Sequence, residues 1–292
     1  MAVLATVAGA LAVGLSPVFV RLSDLGPEAS AFYRALLALP VLMVWRRVEV
    51  GQGKTPIITI KDQIVLALPG ALFAGDLAFW HASIMFTSVA NATLLANFAP
   101  IFVTLGGFFI FRERVTKIFL GGMVLTLIGA ALLVVNSLSY SLQTVMGDGF
   151  GLVTGMFFGA YVLAIGRLRS RYSTAVLMLW GTAWTAIFLF PVALALSDAM
   201  VPGSLYGWGI LLALALISHV LGQGLIAYAL AHLPASFSSV TIVLEAVFAV
   251  AFGWMILSEK LESLQWIGIV VVLSGIYVAQ KGSRNTPSLS SF

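Results

Sequence analysis

"FVTLGGFFIFRERVTKIFLGGMVLTLIG" occupies residues 102–129, and "FAVAFGWMILSEKLESLQWIGIVVVLSG" occupies residues 248–275. The second stretch begins 146 residues after the first, half the length of the 292-residue chain, and eight of the 28 aligned pairs are identical. Matches of Val, Leu, Ile or Phe carry little weight in apolar sequence. The pairs Glu113 with Glu259, Gly107 with Gly253, Gly122 with Gly268 and Gly129 with Gly275 carry more. Each stretch reads as an apolar helix, a charged turn and a Gly-studded helix, so the chain contains the same supersecondary unit twice.

The surrounding composition says where that unit folds. Hydrophobic residues make up 61% of the chain and charged residues 9%, whereas an average soluble domain carries about a quarter charged residues. A water-facing surface cannot be built from this composition. Apolar runs recur at about 20 residues, the length of helix that crosses a hydrocarbon core of about 30 Å. The expected fold is an all-α integral membrane protein of ten transmembrane helices, near 2–20, 29–45, 64–85, 89–111, 117–136, 149–168, 174–196, 206–230, 236–257 and 263–280. Residues 282–292, "GSRNTPSLSSF", read as a polar C-terminal tail. The first 20 residues lack the charged start of a secretory signal and read as a span.

Charge sets the direction. With a cytoplasmic N-terminus, 12 of the 15 Lys and Arg fall in cytoplasmic segments, and the outer loops 136–148 and 197–205 hold none. Positive residues anchor cytoplasmic loops, so both termini are expected on the cytoplasmic side of a bacterial inner membrane. The net charge of +4 is accounted for in this way, and no nucleic-acid partner is expected. With no cysteine and three scattered histidines, the chain is expected to hold no metal and no cofactor.

Five spans per half is an odd number, so the second copy crosses the membrane in the opposite direction. The predicted organisation is an inverted pair of five-helix repeats, 1–146 and 147–281. Inverted repeats with a midplane site at their interface are a transporter architecture. A duplicated protein that merely resides in the bilayer is the plainer alternative.

Longer stretches carry a family likeness. "SVANATLLANFAPIFVTLGGFFIFRERVTKIFLGGMVLTLIGAALLV" (88–134) and "ASFSSVTIVLEAVFAVAFGWMILSEKLESLQWIGIVVVLSGIYVA" (235–279) resemble the paired repeats of the drug/metabolite transporter superfamily, EamA type. That pattern has "L-E-P-x-F", a "G-E-R/K" turn and a Gly-studded helix, and it covers essentially the whole chain. "GDLAFWHASIMFTSVANATLLAN" (75–97) and the overall length look like YddG-like amino-acid exporters. The resemblance implies a multi-pass exporter of a small metabolite, amino acids first, with drugs, cationic compounds or purine metabolites as alternatives. Two positions depart from the pattern: Ala246 replaces the proline of "L-E-P-x-F", and Ala99 stands where a first-half glutamate would align.

Among charged residues, only Arg34, Asp76 and Glu245 fall well inside spans, where an unpartnered ion costs several kcal/mol. Asp76, Trp80, Ser83 and Thr87 recur at helical spacing and share a face, with Phe79 beside them and His81 pointing elsewhere. His219 and Gln223 lie one turn apart, and Gly222 is the repeat equivalent of Asp76. Thr93, Asn97 and Thr104 form a stripe with Pro100, and Ser238, Thr241 and Glu245 form another. The candidate substrate-binding set is therefore Asp76, Phe79, Trp80, Ser83, Asn97, His219, Gln223, Tyr228, Thr241 and Glu245.

Several of these residue types have a structural reading as well. Trp80 and Tyr228 suit packing as much as ligand contact, Asn97 and Gln223 suit interhelical glue, and both His81 and His219 suit neutral core groups. Arg34 is expected to pair with Asp24 or Glu28, and Glu113 and Glu259 to set the turns they occupy. Pro100 is expected to kink its helix, while Gly121, Gly122, Gly129, Gly268 and Gly275 permit close packing or bending. The rival of an intramembrane enzyme finds no HExxH, GxGD or GxSG motif; residues 73–76 read "FAGD" and 145–148 read "VMGD". A channel would need a filter, and no re-entrant loop separates the spans.

Overall fold

The computed structural model describes residues 1–52, 58–86, 89–134, 144–258 and 263–284. Every regular element among them is helical. In chain order the helices are α1 (Ala2–Leu22), α2 (Pro27–Gly51), α3 (Ile60–Phe86), α4 (in two pieces, Val89–Ala96 and Ala99–Phe111), α5 (Lys117–Val134), α6 (Thr144–Leu168), α7 (Thr174–Leu196), α8 (Leu205–Ala229), α9 (Ala235–Leu257) and α10 (Ser263–Arg284). Among the described residues, eight segments are long and apolar enough to cross a membrane, and α4 and α5 supply two shorter apolar helices. Large apolar side chains such as Leu105, Phe109, Leu194 and Trp254 stand exposed on the outer faces, which only lipid can cover without cost.

The longest pairing joins α5 to α10, which run antiparallel. Glycine makes it possible. A Cβ on Gly122 would fall onto the backbone of Ala279 and Gly275, and one on Gly268 would lie 2.9 Å from the Gly129 carbonyl oxygen. Gly122 thus faces Gly275 and Gly129 faces Gly268, and the shift of 146 residues exchanges these two pairs. Gly121 takes no part, because a Cβ there would have nothing within 4 Å. Neighbouring residues on a helix point about 100° apart, so only one of the two glycines can face α10. Helix α10 also continues beyond its expected end to Arg284, and the Gly282 carbonyl accepts a hydrogen bond from Thr116 Oγ1 at 3.0 Å. This bond ties the end of α10 to the start of α5.

The remaining helices pack in matched ways. Helix α3 lies antiparallel on α6, where Ser83 Oγ donates to the Gly147 carbonyl at 2.7 Å. Helix α8 lies antiparallel on α1, where Ser218 Oγ donates to the Ala12 carbonyl at 2.9 Å. Helix α4 packs on α6 as α9 packs on α1, and α7 lies against α3 as α2 lies against α8. Advancing every helix by five positions converts each of these pairs into another.

Helices α4 and α9 are each broken at the same place. The first turns at Asn97–Phe98 and the second at Val243, 146 residues after Asn97. In α4 the break precedes Pro100 and does not sit on it: Pro100 occupies the first turn of the second piece, where its missing N–H would have no partner anyway. In α9 there is no proline, and the second piece restarts at Leu244 with Glu245 in its first turn. Both helices also end alike, on Arg112 (φ 56°) and Ser258 (φ 57°) in the left-handed conformation, their N–H groups bonded to the carbonyls of Gly107 and Gly253. Glu113 sits in that turn, with its N–H on the Gly107 carbonyl at 2.9 Å; Glu259 lies outside the described residues. In α8, Leu214–Gln223 widens into a π-helical segment, a form that often marks functional positions in a helix.

Candidate functional site

The breaks in α4 and α9 open onto a cavity of about 170 Å³ walled by α1, α2, α3, α4, α6, α8 and α9. Helices of both halves of the chain contribute. The wall is mostly apolar, built around Phe73, Leu77, Phe158, Ile242 and Val243, with Arg34, Asp76 and Glu245 as its charged groups. It reaches Pro27 at the start of α2 but stops at Pro100 of α4 and Phe158 of α6, well short of the ends of those helices at Phe111 and Leu168.

Arg34 is 7% exposed. Its depth follows from helix geometry: α2 begins at Pro27, which puts Arg34 about 10 Å along the helix and out of reach of a surface role. The pairing expected with Asp24 or Glu28 is not there. Instead Nη1 donates to Ser16 Oγ at 3.1 Å, and the guanidinium lies 5.6 Å from the centre of the Phe73 ring. Asp24 instead accepts from Ser204 Oγ at 2.6 Å. Asp76 and Glu245 both lie in electrostatic range of Arg34, yet neither accepts a hydrogen bond among the described residues. The result is one cation and two carboxylates in a single apolar chamber, none closing a direct ion pair with another.

Of the candidate binding residues, Asp76, Trp80, Asn97, Gln223 and Glu245 line this cavity. The other five are placed elsewhere. Phe79 stacks on Phe157, ring centres 5.3 Å apart, in the interface of α3 with α6. Ser83 is spent on the Gly147 carbonyl, and Thr241 Oγ1 donates to the Phe237 carbonyl of its own helix at 2.9 Å. Tyr228 is 42% exposed and lies against His232. His219 is buried beside Phe73 and Tyr161, with Nε2 2.7 Å from Thr182 Oγ1. His219 and Gln223 both lie in the π-helical segment of α8, yet Gln223 lines the large cavity while His219 lines a small separate pocket with Phe73, Tyr161 and Thr182. Thr87 and the side chains of His81 and Thr93 lie outside what is described.

Sequence reasoning missed Ser16, Phe73, Thr154, Phe158 and Ser239, all in the lining. Ser16 and Ser239 sit near helix breaks; α1 breaks at Leu15, between Gly14 and Pro17, a signal the sequence did offer, whereas the break of α9 at Val243 carries no Gly or Pro. Arg34 was the recoverable one, since it is one of three charges in the spans.

The family profile of the EamA-like transporters matches residues 1–135 and again residues 145–280. The chain belongs to the EamA-like transporter family. It is 29% identical over 262 residues to an uncharacterized transporter of Archaeoglobus fulgidus, covering 89% of each chain. It is also 29% identical over 272 residues to the pseudopaline exporter CntI of Pseudomonas aeruginosa, covering 90% of this chain and 92% of that one. A solved crystal structure superposes with a TM-score of 0.81 over 94% of this chain and 98% of that chain at 16% identity, a likeness in fold. The protein is thus a multi-pass membrane transporter, and the family implies a small-molecule substrate.

Proposed function

We propose that this EamA-like transporter exports small zwitterionic metabolites, amino acids first among them, from the cytoplasm across the inner membrane. One observation carries the reading: a cavity at the crossing of helices from both halves holds a guanidinium and two carboxylates in a mostly apolar wall. Such a wall offers a counter-charge to each end of a zwitterion and apolar contact to an uncharged side chain. The halves 1–146 and 147–281 act as inverted repeats that rock about the cavity, and both termini lie in the cytoplasm. The similarity to a pseudopaline exporter supports export. Two carboxylates against one guanidinium also suit a cationic compound, which is the second reading.

Reconstituted protein is expected to exchange a labelled neutral amino acid across liposome membranes in counterflow, with saturation. A competition panel separates the two readings. Absence of any amino-acid flux above empty vesicles sinks the amino-acid assignment, and competition by organic cations alone favours the second reading.

The two ends of the bundle are fastened by equivalent elements. At the end remote from the cavity mouth, Asp62 at the start of α3 accepts from Thr59 N at 2.9 Å, Thr59 Oγ1 at 2.6 Å, Tyr172 Oη at 2.5 Å and Arg171 Nη2 at 2.7 Å. Ser173, which caps α7, donates to Glu49 of α2. Burial, with the bond donated to Asp62, pushes the Tyr172 phenol up, so it remains a donor at neutral pH. At the mouth, Ser204, the cap of α8, bonds Asp24 of the α1–α2 loop. The Asp62 cluster and the Ser204–Asp24 bond each join the start of the third helix of one half to the loop between the first two helices of the other.

We read the Asp62 cluster as the closed cytoplasmic latch of an outward-facing state. Arg171 is mostly exposed, and such pairs contribute roughly 0.2–1 kcal/mol, so Asp62→Asn is expected to raise the population open on that side about 1.4-fold to fivefold. The chain has no cysteine, which makes a single Ser238→Cys a clean reporter: Ser238 is fully buried one residue from the lining. Its maleimide labelling is expected to quicken by that factor in the Asp62→Asn background, and an unchanged rate rules out the latch.

A further inference from the structure

The guanidinium of Arg34 has a free edge of definite shape. Nη1 is occupied by Ser16, whereas Nε and Nη2 are buried and have no hydrogen-bond partner. Nε and Nη2 are the two nitrogens whose N–H bonds run parallel along one side of the guanidinium, the fork that receives both oxygens of a carboxylate at once. Buried donors are rarely left without acceptors, and here the omission falls on that fork. The protein's own carboxylates do not fill it, since neither Asp76 nor Glu245 is hydrogen-bonded to Arg34 although both share the cavity wall. On the opposite sign, the Gln223 side-chain oxygen is also buried without a donor and belongs to the same wall.

We propose that Arg34 is the carboxylate subsite of the cavity, taking the substrate carboxylate side-on through Nε and Nη2 while Ser16 holds Nη1 and the Phe73 ring supports the guanidinium plane. The substrate ammonium is then left to Asp76, Glu245 and the Gln223 oxygen. The ligand class is an amino acid or amino-acid derivative with a free carboxylate and a free amine. In the state described, the two nitrogens are shielded from the cavity, so the carboxylate displaces side chains of the wall as it docks. This subsite rests on the reading of the cavity as the transport site.

The test uses three probes that share a phenyl ring, L-phenylalanine, its methyl ester and 2-phenylethylamine, with binding to the purified full-length protein read by thermal shift. In the wild type, L-phenylalanine is expected to bind at least about tenfold more tightly than the ester, the loss that follows from removing a charge-assisted bidentate pair. In Arg34→Lys the difference between acid and ester is expected to fall to about twofold with amine binding unchanged, because an ammonium cannot reproduce the parallel fork. Ser16→Ala, which frees the guanidinium to turn, is expected to reduce the discrimination in part.

Equal binding of acid and ester by the wild type overturns the subsite without any variant. Survival of the full discrimination in folded Arg34→Lys overturns it as well, as does failure of all three probes to bind. If acid binding depends on Arg34 but no flux is seen in liposomes, the subsite stands and the export reading falls.

Discussion

Gly122→Leu is expected to abolish the folded transporter, while Gly121→Leu, one residue earlier, is expected to be silent. At Gly122 the added side chain meets the backbone of Ala279 and Gly275, which cannot step aside as a flexible side chain can. The helices α5 and α10 must separate along their whole length, and Gly129 against Gly268, two turns away, loses its contact too. Overpacking a tight interface ordinarily costs about 1–3 kcal/mol, and here the most extensive helix pairing of the bundle is forced apart, so the cost lies at or above that range. At Gly121 the side chain has nothing within 4 Å and points away from α10, where substitutions usually change stability by less than about 0.5 kcal/mol. Size-exclusion profiles and melting curves in detergent read both variants. A monodisperse, thermally stable Gly122→Leu protein would show that α5 and α10 do not meet as described.

That contrast also marks how far the sequence speaks. Ten apolar helices are legible because lipid demands length and apolarity of every span, a demand that no tertiary context can relax. The glycines of α5 and α10 are legible as a class, because a shift of 146 residues lays Gly122 on Gly268 and Gly129 on Gly275. Which of two adjacent glycines faces the partner is a matter of rotation about the helix axis. In helices that are apolar all round, no amphipathic stripe reports that rotation.

The same loss of facing information explains the candidate site. Asp76, Trp80, Asn97, Gln223 and Glu245 stood out because polar groups inside a span must meet protein or water, and they line the cavity. Ser83 and Thr241 satisfy the same rule differently, by bonding backbone carbonyls, and a hydroxyl in a sequence does not say which of the two it will do. His219 and Gln223 both lie in a π-helical segment, where periodicity arguments that assume 3.6 residues per turn do not apply. Arg34 stood out as an intramembrane charge, but its expected pairing with Asp24 or Glu28 left it outside the candidate set, whereas its contacts are Ser16 and the Phe73 ring.

The double substitution Asp76→Asn with Glu245→Gln is expected to reduce zwitterion flux by about a hundredfold, well beyond the product of the single effects, each about threefold to fivefold. The reasoning begins with why a glutamate belongs at 245. Helix α9 restarts at Leu244, and a restarting helix presents unsatisfied first-turn N–H groups and the positive end of its dipole. In α4 the equivalent restart carries Pro100, which has no N–H to satisfy. In α9 the proline is absent, and Glu245 supplies negative charge at the positive end instead. That end faces the cavity, so the same carboxylate that complements the helix is available to a substrate ammonium.

Asp76 approaches the chamber from α3, and on the proposed reading either carboxylate alone holds the ammonium against the repulsion of Arg34. Removing one leaves the other in place; removing both leaves the ammonium only neutral partners such as the Gln223 oxygen against the charge of Arg34. Initial rates of counterflow for the two singles and the double, at matched protein density, read the coupling directly. Strict additivity of the logarithms would mean that the two carboxylates do not share a ligand group. The pH profile of the Glu245→Gln single separates the roles left to that residue: a flattened profile assigns it the coupling proton, and an unchanged one assigns it substrate contact.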